Sequence, residues 1–349
     1  MCIRDRRKRV VILGATGTVG QRFVQLLANH PFFEITALAA SEASVGKKYA
    51  DTVHWHLPCE IPNKVRDMKI VGIDSDFDCE YIFSALPSDV AGPIETRLVE
   101  RGYILFSNAA SHRMDQDVPL LIPEVNLQHI ELVERQKTSG KLITNPNCST
   151  IGLVMALKPI MDLFGIEFVS VVTMQAVSGA GYPGVPSLDI LDNVIPYIKN
   201  EEEKMCTEPK KTLGRLTEDG VKPATFDVVA QCNRVPVQDG HMISAYVETS
   251  EKVDLDELIR AIDNFKPLKD YKLPTAPDNP VVYLPDKDAP QPRLHRDLGG
   301  GMTVSVGRLV QVSERALSFV ALVHNTIRGA AGCAVLNAEI YEALYGRGV

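Results

Sequence analysis

The sequence predicts two α/β units: a doubly wound parallel sheet in the first half, then an α+β unit with a mostly antiparallel sheet. Three observations carry this. The chain's 349 residues exceed one ordinary domain, so two cores are expected. In the first half, short apolar runs alternate with stretches of helical periodicity, the pattern of parallel strands joined by crossover helices. From residue 166 onward the strands lengthen and helices become fewer, which suits an antiparallel arrangement.

In chain order, Val10 to Leu13 reads as the first strand. Thr18 to Asn29 is a helix, with Val19, Phe23, Leu26 and Leu27 on one face. Glu34 to Ala40, Tyr81 to Ala85, Tyr103 to Phe106 and Lys141 to Ile143 are further strands, and Val90 to Glu100 is helical. In the second half Ile166 to Gln175, Phe226 to Ala230, His241 to Thr249, Met302 to Val310 and Ala316 to Val323 read as strands. Leu153 to Leu163, Ser187 to Tyr197 and Leu255 to Phe265 read as helices. Residues 267 to 297 are proline-rich and aperiodic, an irregular excursion. Thr326 to Tyr345 is apolar at helical spacing and is expected to return to the first unit. The expected division is 7–148 for the first domain, completed by a helix over 326–349, and 149–325 for the second, with 1–6 disordered.

A net charge of -7 and a pI near 5.7 exclude nucleic acid as a main partner, since phosphate backbones need a basic surface. The basic run Arg4, Arg6, Arg7, Lys8 and Arg9 leads only into Val10-Val11-Ile12-Leu13, too short for a signal peptide, and no window has the length of a membrane helix. Seven scattered cysteines without a C-x-x-C pair point to a reducing cytoplasm rather than a disulfide framework or a metal site. His54 and His56 offer half a metal site with no third ligand, and they are read with His112 and His295 as ordinary surface or core residues.

Gly14-Ala15-Thr16-Gly17-Thr18-Val19-Gly20 joins the first strand to the first helix. Glycines there permit a tight turn and close approach of backbone to a pyrophosphate seated on the helix N-terminus, so this is a Rossmann-type dinucleotide-binding domain. At the end of the second strand, Ser41, Ser44, Lys47 and Lys48 favour the 2′-phosphate of NADP, while Glu42 keeps NAD possible.

Thr144-Asn145-Pro146-Asn147-Cys148-Ser149-Thr150 joins a strand to a helix. A cysteine at such a junction is expected to be stabilised as thiolate by the macrodipole, and free first-turn N–H groups can hold an oxyanion. Further on, Arg234 and His241 stand seven residues apart across the turn signal Asp239-Gly240. His241 is expected to titrate near neutrality and move protons, and Arg234 offers a fork matched to a carboxylate.

Together these motifs resemble the aspartate-semialdehyde dehydrogenase family, in particular its archaeal and fungal branch. The resemblance rests on GATGTVG at 14–20, SEASVGKKY at 41–49, FSALPSDVAGPIE at 83–95, SNAASHRM at 107–114 and PLLIPEVN at 119–126. It continues with NPNCST at 145–150, QAVSGAGYPGV at 175–185, NEEEK at 200–204, CNRVPVQDGH at 232–241 and HNTIRGAAG at 324–332. It implies Cys148 as acyl-enzyme nucleophile, His241 as general acid/base and Gln175 as the residue orienting the acyl group. It further implies Arg234 for the substrate α-carboxylate, Glu201 for its amino group, and Arg113, Lys204 and Asn147 for phosphate. Glu202 and Glu203 leave the register of Glu201 open. For the cofactor it implies Gly14, Thr16, Gly17, Thr18, Val19, Gly20, Ser41, Ser44, Leu86, Ser178, Gly179 and Asn325. Ala43 departs from the pattern, because many relatives carry an arginine there, and this weakens the expected preference for NADP.

The activity implied is the reversible, NADPH-dependent conversion of L-4-aspartyl phosphate to L-aspartate 4-semialdehyde through a thioester, in lysine, threonine and methionine synthesis. A homodimer or homotetramer built through the second domain is implied as well. The rivals are a malonyl-CoA reductase using the same Cys148 and His241, the more distant N-acetylglutamyl-phosphate reductase, and a catalytically silent dinucleotide-binding regulator.

Overall fold

A computed structural model describes residues 7–346. The expected disorder at 1–6, Arg4 and Arg6 of the basic run, and the last residues of the expected C-terminal helix lie outside them.

The first sheet holds six strands: β1 (Lys8–Leu13), β2 (Phe33–Ala40), β3 (Val71–Gly72), β4 (Tyr81–Ser84), β5 (Ile104–Ser107) and β6 (Lys141–Thr144). Their order is β3-β2-β1-β4-β5-β6 and every pairing is parallel. Val10 to Leu13 and Tyr81 to Ser84 are buried throughout, as strands covered on both faces must be. The strand order reverses at β1, which opens a crevice beyond the carboxyl ends of β1 and β4. Gly14 sits there at φ 72°, and a Cβ on it would lie 2.6 Å from the Ala85 carbonyl oxygen. Only glycine fits a turn so close to the neighbouring strand.

The second half contributes β7 (Phe168–Gln175), β8 (Ile195–Pro196), the hairpin β9 (Arg215–Thr217) and β10 (Gly220–Lys222), then β11 (Asp227–Arg234), β12 (His241–Glu248), β13 (Val281–Leu284), β14 (Val304–Ser313) and β15 (Ala316–Val323). Seven of these form a sheet ordered β13-β14-β15-β12-β7-β11-β8. The β13–β14 and β7–β11 pairings are parallel and the other four antiparallel. The Cys148–Phe164 helix leads from the first sheet to the second and lays Ile151, Leu153, Val154 and Leu157 into the second core. After β15 a π-turn over Ile327–Ala331 feeds the Gly332–Tyr345 helix. That helix packs Ala334, Val335, Ala338 and Tyr341 against Val10, Ile12, Phe83 and Phe106 of the first core.

Several expectations need correction. Ser187 to Tyr197 is helical only to Ile190, and Ile195–Pro196 is an edge strand against Asn233 and Arg234. Asp192, Tyr197 and Asn200 have positive φ, which ends any helix, and Leu188 is 92% exposed with Leu191, Val194 and Tyr197 also on the surface. Apolar spacing there marks a face rather than a core. The aperiodic 267–297 segment contains β13 and a single helical turn at Pro292–His295. β11 runs on to Arg234, past the expected Ala230. The charge run NEEEK opens a twelve-residue helix, Glu201–Thr212.

Candidate active site

The crevice of the first sheet is built for an anion. The Thr18–Leu27 helix begins at Gly17, which carries no side-chain cap, so its first-turn N–H groups stay available. Gly20 lets that helix settle on the loop, since a Cβ there would lie 2.1 Å from the Gly14 carbonyl oxygen. Thr16, Thr18 and Val19 stand at this same terminus, and Leu86 follows β4 beside Gly14. Ser41 precedes and Ser44 closes a 3-10 turn after β2. Of the two lysines, Lys48 pairs with Asp67 at 2.8 Å, whereas Lys47 Nζ donates to the Ala43 carbonyl at 2.7 Å and stays at the turn. A cleft of about 220 Å³ runs onward between Thr18, Arg22, His56, Ser178, Tyr182 and Thr326. Asn325 donates from Nδ2 to Ser178 Oγ at 2.8 Å and accepts from the Gly240 N–H at 2.8 Å, tying the cleft floor to the turn before His241.

Cys148 is the first residue of its helix and is half-buried. Asn147 caps it: Oδ1 accepts from the Ser149 N–H at 2.9 Å and the Thr150 N–H at 3.4 Å. These two amides are therefore spent on the cap and do not serve an oxyanion, contrary to the expectation from the sequence. The Cys148 N–H makes no hydrogen bond among the described residues and is the first-turn donor that remains. Burial pushes the Cys148 thiol up to about 12, with Glu201 adding to it and Arg113, Lys204 and Arg234 opposing. Burial thus opposes the thiolate that the helix terminus favours. Gly329, in the π-turn, backs directly onto Cys148, with its Cβ position 2.7 Å from Cys148 Cβ.

His241 opens β12 and is fully buried. Its Nδ1 accepts from the Ala176 N–H at 3.0 Å, so the proton of the neutral ring is on Nε2, which has no partner among the described residues. Burial and then the Arg234 charge lower its pKa to about 3, far from the neutral value expected. His241 is consequently a neutral donor at physiological pH. Gly179 leaves room beside it, a Cβ there lying 3.0 Å from Arg234 Nη1 and 3.2 Å from His241 Nε2.

The charged groups converge on this thiol. Glu201 is buried and accepts from Asn147 Nδ2 at 2.9 Å, Gln175 Nε2 at 3.1 Å and Lys204 Nζ at 2.9 Å. Burial opposes its ionisation, yet Lys204 and these hydrogen bonds hold its carboxyl below the usual range. Its neighbours lie elsewhere: Glu202 turns to the Cys232 N–H of β11, and Glu203 faces outward. Arg234 donates from Nη1 to the Ala176 carbonyl at 2.7 Å and, among the described residues, meets no carboxylate within ion-pair distance, so the rest of its fork is free for an anion. Arg113 is buried and bridges to Glu208 at 2.8 Å and to the Asn108 carbonyl at 2.7 Å.

Sequence reasoning missed Glu208, Gly329 and His56. His56 lines the cleft and stacks against Tyr182 of the glycine-rich loop, ring centroids 5.7 Å apart. Among the described residues no cluster could hold a metal ion, no helix is long and apolar enough to cross a membrane, and the cysteines are free.

Comparison with known proteins agrees with this geometry. The family model described as semialdehyde dehydrogenase, NAD binding domain, matches residues 9–133, and the one described as semialdehyde dehydrogenase, dimerisation domain, matches 157–328. An aspartate-semialdehyde dehydrogenase of Archaeoglobus fulgidus is 50% identical over 339 residues, covering 96% of this chain and 98% of its own. The crystal structure of aspartate semialdehyde dehydrogenase with NADP from Candida albicans superposes with a TM-score of 0.89 at 40% identity, over 97% of this chain and 99% of that one. Aspartate semialdehyde dehydrogenase II complexed with ASA from Vibrio cholerae gives 0.79 at 26% identity, over 98% of this chain and all of that one.

Proposed function

This chain belongs to the aspartate-semialdehyde dehydrogenase family, and on that premise we propose that it interconverts L-4-aspartyl phosphate and L-aspartate 4-semialdehyde with NADP and a Cys148 thioester. The observation that supports this most is the arrangement around one thiol. Arg113, Lys204 and Arg234 bring positive charge to Cys148, and the buried Glu201 carboxylate stands among them. A substrate with a phosphate, a carboxylate and an ammonium group matches that pattern of charge.

The residues present also fit the dinucleotide. The uncapped N–H groups after Gly17 suit the pyrophosphate, Ser41, Ser44 and Lys47 suit the 2′-phosphate, and the cleft past Ser178 and Asn325 suits the nicotinamide end. When bound, NADPH supplies a hydride to the acyl carbon.

Cys148 Sγ attacks the acyl phosphate carbon, the C–O bond to phosphate breaks, and the thiol proton leaves with the phosphate dianion. Arg113 and Lys204 hold that departing group, and Arg234 grips the α-carboxylate. Gln175, fixed by Thr173 at 3.0 Å and Glu201 at 3.1 Å, orients the acyl group. After reduction the tetrahedral oxygen finds donors in the Cys148 N–H and His241 Nε2–H. Collapse re-forms the C=O bond as the C–S bond breaks, and the expelled thiolate, disfavoured by burial beside Glu201, takes its proton from water entering the cleft. The exposed face of Leu188, Leu191, Val194 and Tyr197 lies inside the segment matched to a dimerisation domain, which supports a homodimer. Free cysteines are in keeping with the cytoplasm.

The test is turnover of aspartate semialdehyde, NADP and inorganic phosphate, run beside malonyl-CoA with NADPH. Activity with the first set, lost in Cys148→Ser while NADP binding persists, is the expected outcome. Turnover of malonyl-CoA alone, or an active Cys148→Ser, would sink the proposal.

A further inference from the structure

One carboxylate outside the substrate pocket reaches two parts of the site at once. Glu208 is buried, and its Oε1 accepts from Arg113 Nη1 at 2.8 Å while its Oε2 accepts from the Asn147 backbone N–H at 2.6 Å. It lies seven residues after Glu201 on the same helix, so the two carboxylates share a face. Glu201 holds the Asn147 side chain and Glu208 its main chain, so the residue capping the nucleophile's helix is gripped from both ends. One turn further, Lys211 Nζ donates to the carbonyls of Arg113 at 2.7 Å, Asp115 at 2.7 Å and Val118 at 3.0 Å. The loop that carries Arg113 comes from the first half of the chain, and this helix from the second.

We propose that Glu208 is a positioning residue for the phosphate end of the reaction, presenting the Arg113 fork and setting the Asn147 cap that fixes Cys148. The proposal rests on Arg113 being a phosphate ligand, as inferred above. Glu208 touches neither thiol nor substrate in this account. It acts through Arg113, whose Nη2 is held by the Asn108 carbonyl and whose orientation otherwise depends on this one carboxylate. Glutamine at 208 keeps an oxygen for the Asn147 N–H but turns an amide N–H₂ toward the guanidinium, so it removes the Arg113 contact selectively.

The experiment reads phosphate binding without turnover: the concentration of inorganic phosphate that half-protects Cys148 from iodoacetamide in the full chain with NADP bound. Glu208→Gln is expected to raise that concentration about tenfold, with NADP affinity unchanged within about twofold. In an Arg113→Lys background, where the fork is gone, the same substitution is expected to add less than about twofold, because the two residues act as one unit. Equal protection in wild type and Glu208→Gln overturns the proposal, and so do tighter phosphate binding or effects that multiply in the double variant. Should Glu208→Gln fail to fold, Glu208→Asp takes its place in the cycle with the same expectations. Wild type that turns over with phosphate while the variant behaves identically defeats the positioning role alone. Wild type that phosphate neither protects nor serves defeats the phosphate reading as well.

Discussion

Gly329→Ala puts a methyl group against Cys148, the proposed nucleophile. Its Cβ would lie 2.7 Å from Cys148 Cβ, 3.0 Å from Cys148 Cα and 3.3 Å from the Cys148 carbonyl oxygen. Ordinary van der Waals contact begins near 3.4 Å, so something must give by about 0.7 Å. Cys148 is held from in front by the Asn147 cap, and Asn147 by Glu201 and Glu208, so the yielding part has little slack. Overpacking of this size costs about 1–3 kcal/mol of stability. A sub-ångström displacement of a nucleophile is also expensive in rate, on the order of 10–100-fold. The assay pairs steady-state oxidation of aspartate semialdehyde with thermal unfolding of the same preparation. The expected result is a kcat lowered by about 10–100-fold with NADP binding retained, well below any loss in folded fraction. A variant with near-wild-type kcat would refute the close backing of Cys148 by the π-turn.

Two further predictions concern protonation and cofactor choice. Burial raises the Cys148 thiol to about 12 and lowers His241 to about 3, so between these values thiol and neutral imidazole coexist. Iodoacetamide alkylation of the free enzyme is therefore expected to accelerate about tenfold per pH unit between roughly pH 7 and 10, with no inflection near 6.5; a plateau above pH 7 would show a thiolate–imidazolium pair instead. Lys47→Ala removes the one lysine kept at the turn after β2, and with Ala43 beside it the KM for NADP is expected to rise about tenfold while that for NAD changes little. Equal effects on both cofactors would move the 2′-phosphate away from that turn.

How much of this was legible in the chain follows from where each signal resides. The strands of the first sheet are short apolar runs bounded by turns, and a parallel sheet buried on both faces leaves little else for such runs to do. The Gly14 loop and the NPNCST junction are local, so position along the chain was enough to place them. Leu188, Leu191, Val194 and Tyr197 misled because helical spacing of apolar residues does not say what they will be buried against. β11 was cut short because Gln231 and Asn233 interrupt its apolar pattern where it approaches the site. The protonation states were illegible for a different reason. His241 and Cys148 are shifted by burial and by Arg234 and Glu201, which are close only once the chain has folded. Glu208 and Lys211 carry no local signal, because their partners at Arg113, Asp115 and Val118 stand more than ninety residues earlier. Asn147 caps the next helix through its own side chain, but the carboxylates that grip it come from another helix, out of reach of any local pattern.

The central claim is a thioester on Cys148 that phosphate resolves. Mixing enzyme with aspartate semialdehyde and NADP, without phosphate, isolates that state. The account predicts a burst of about one NADPH per chain, an acyl adduct located by mass spectrometry on Cys148, and resumed turnover when phosphate is added. No burst, an adduct on another residue, or an adduct released by coenzyme A and not by phosphate would contradict it.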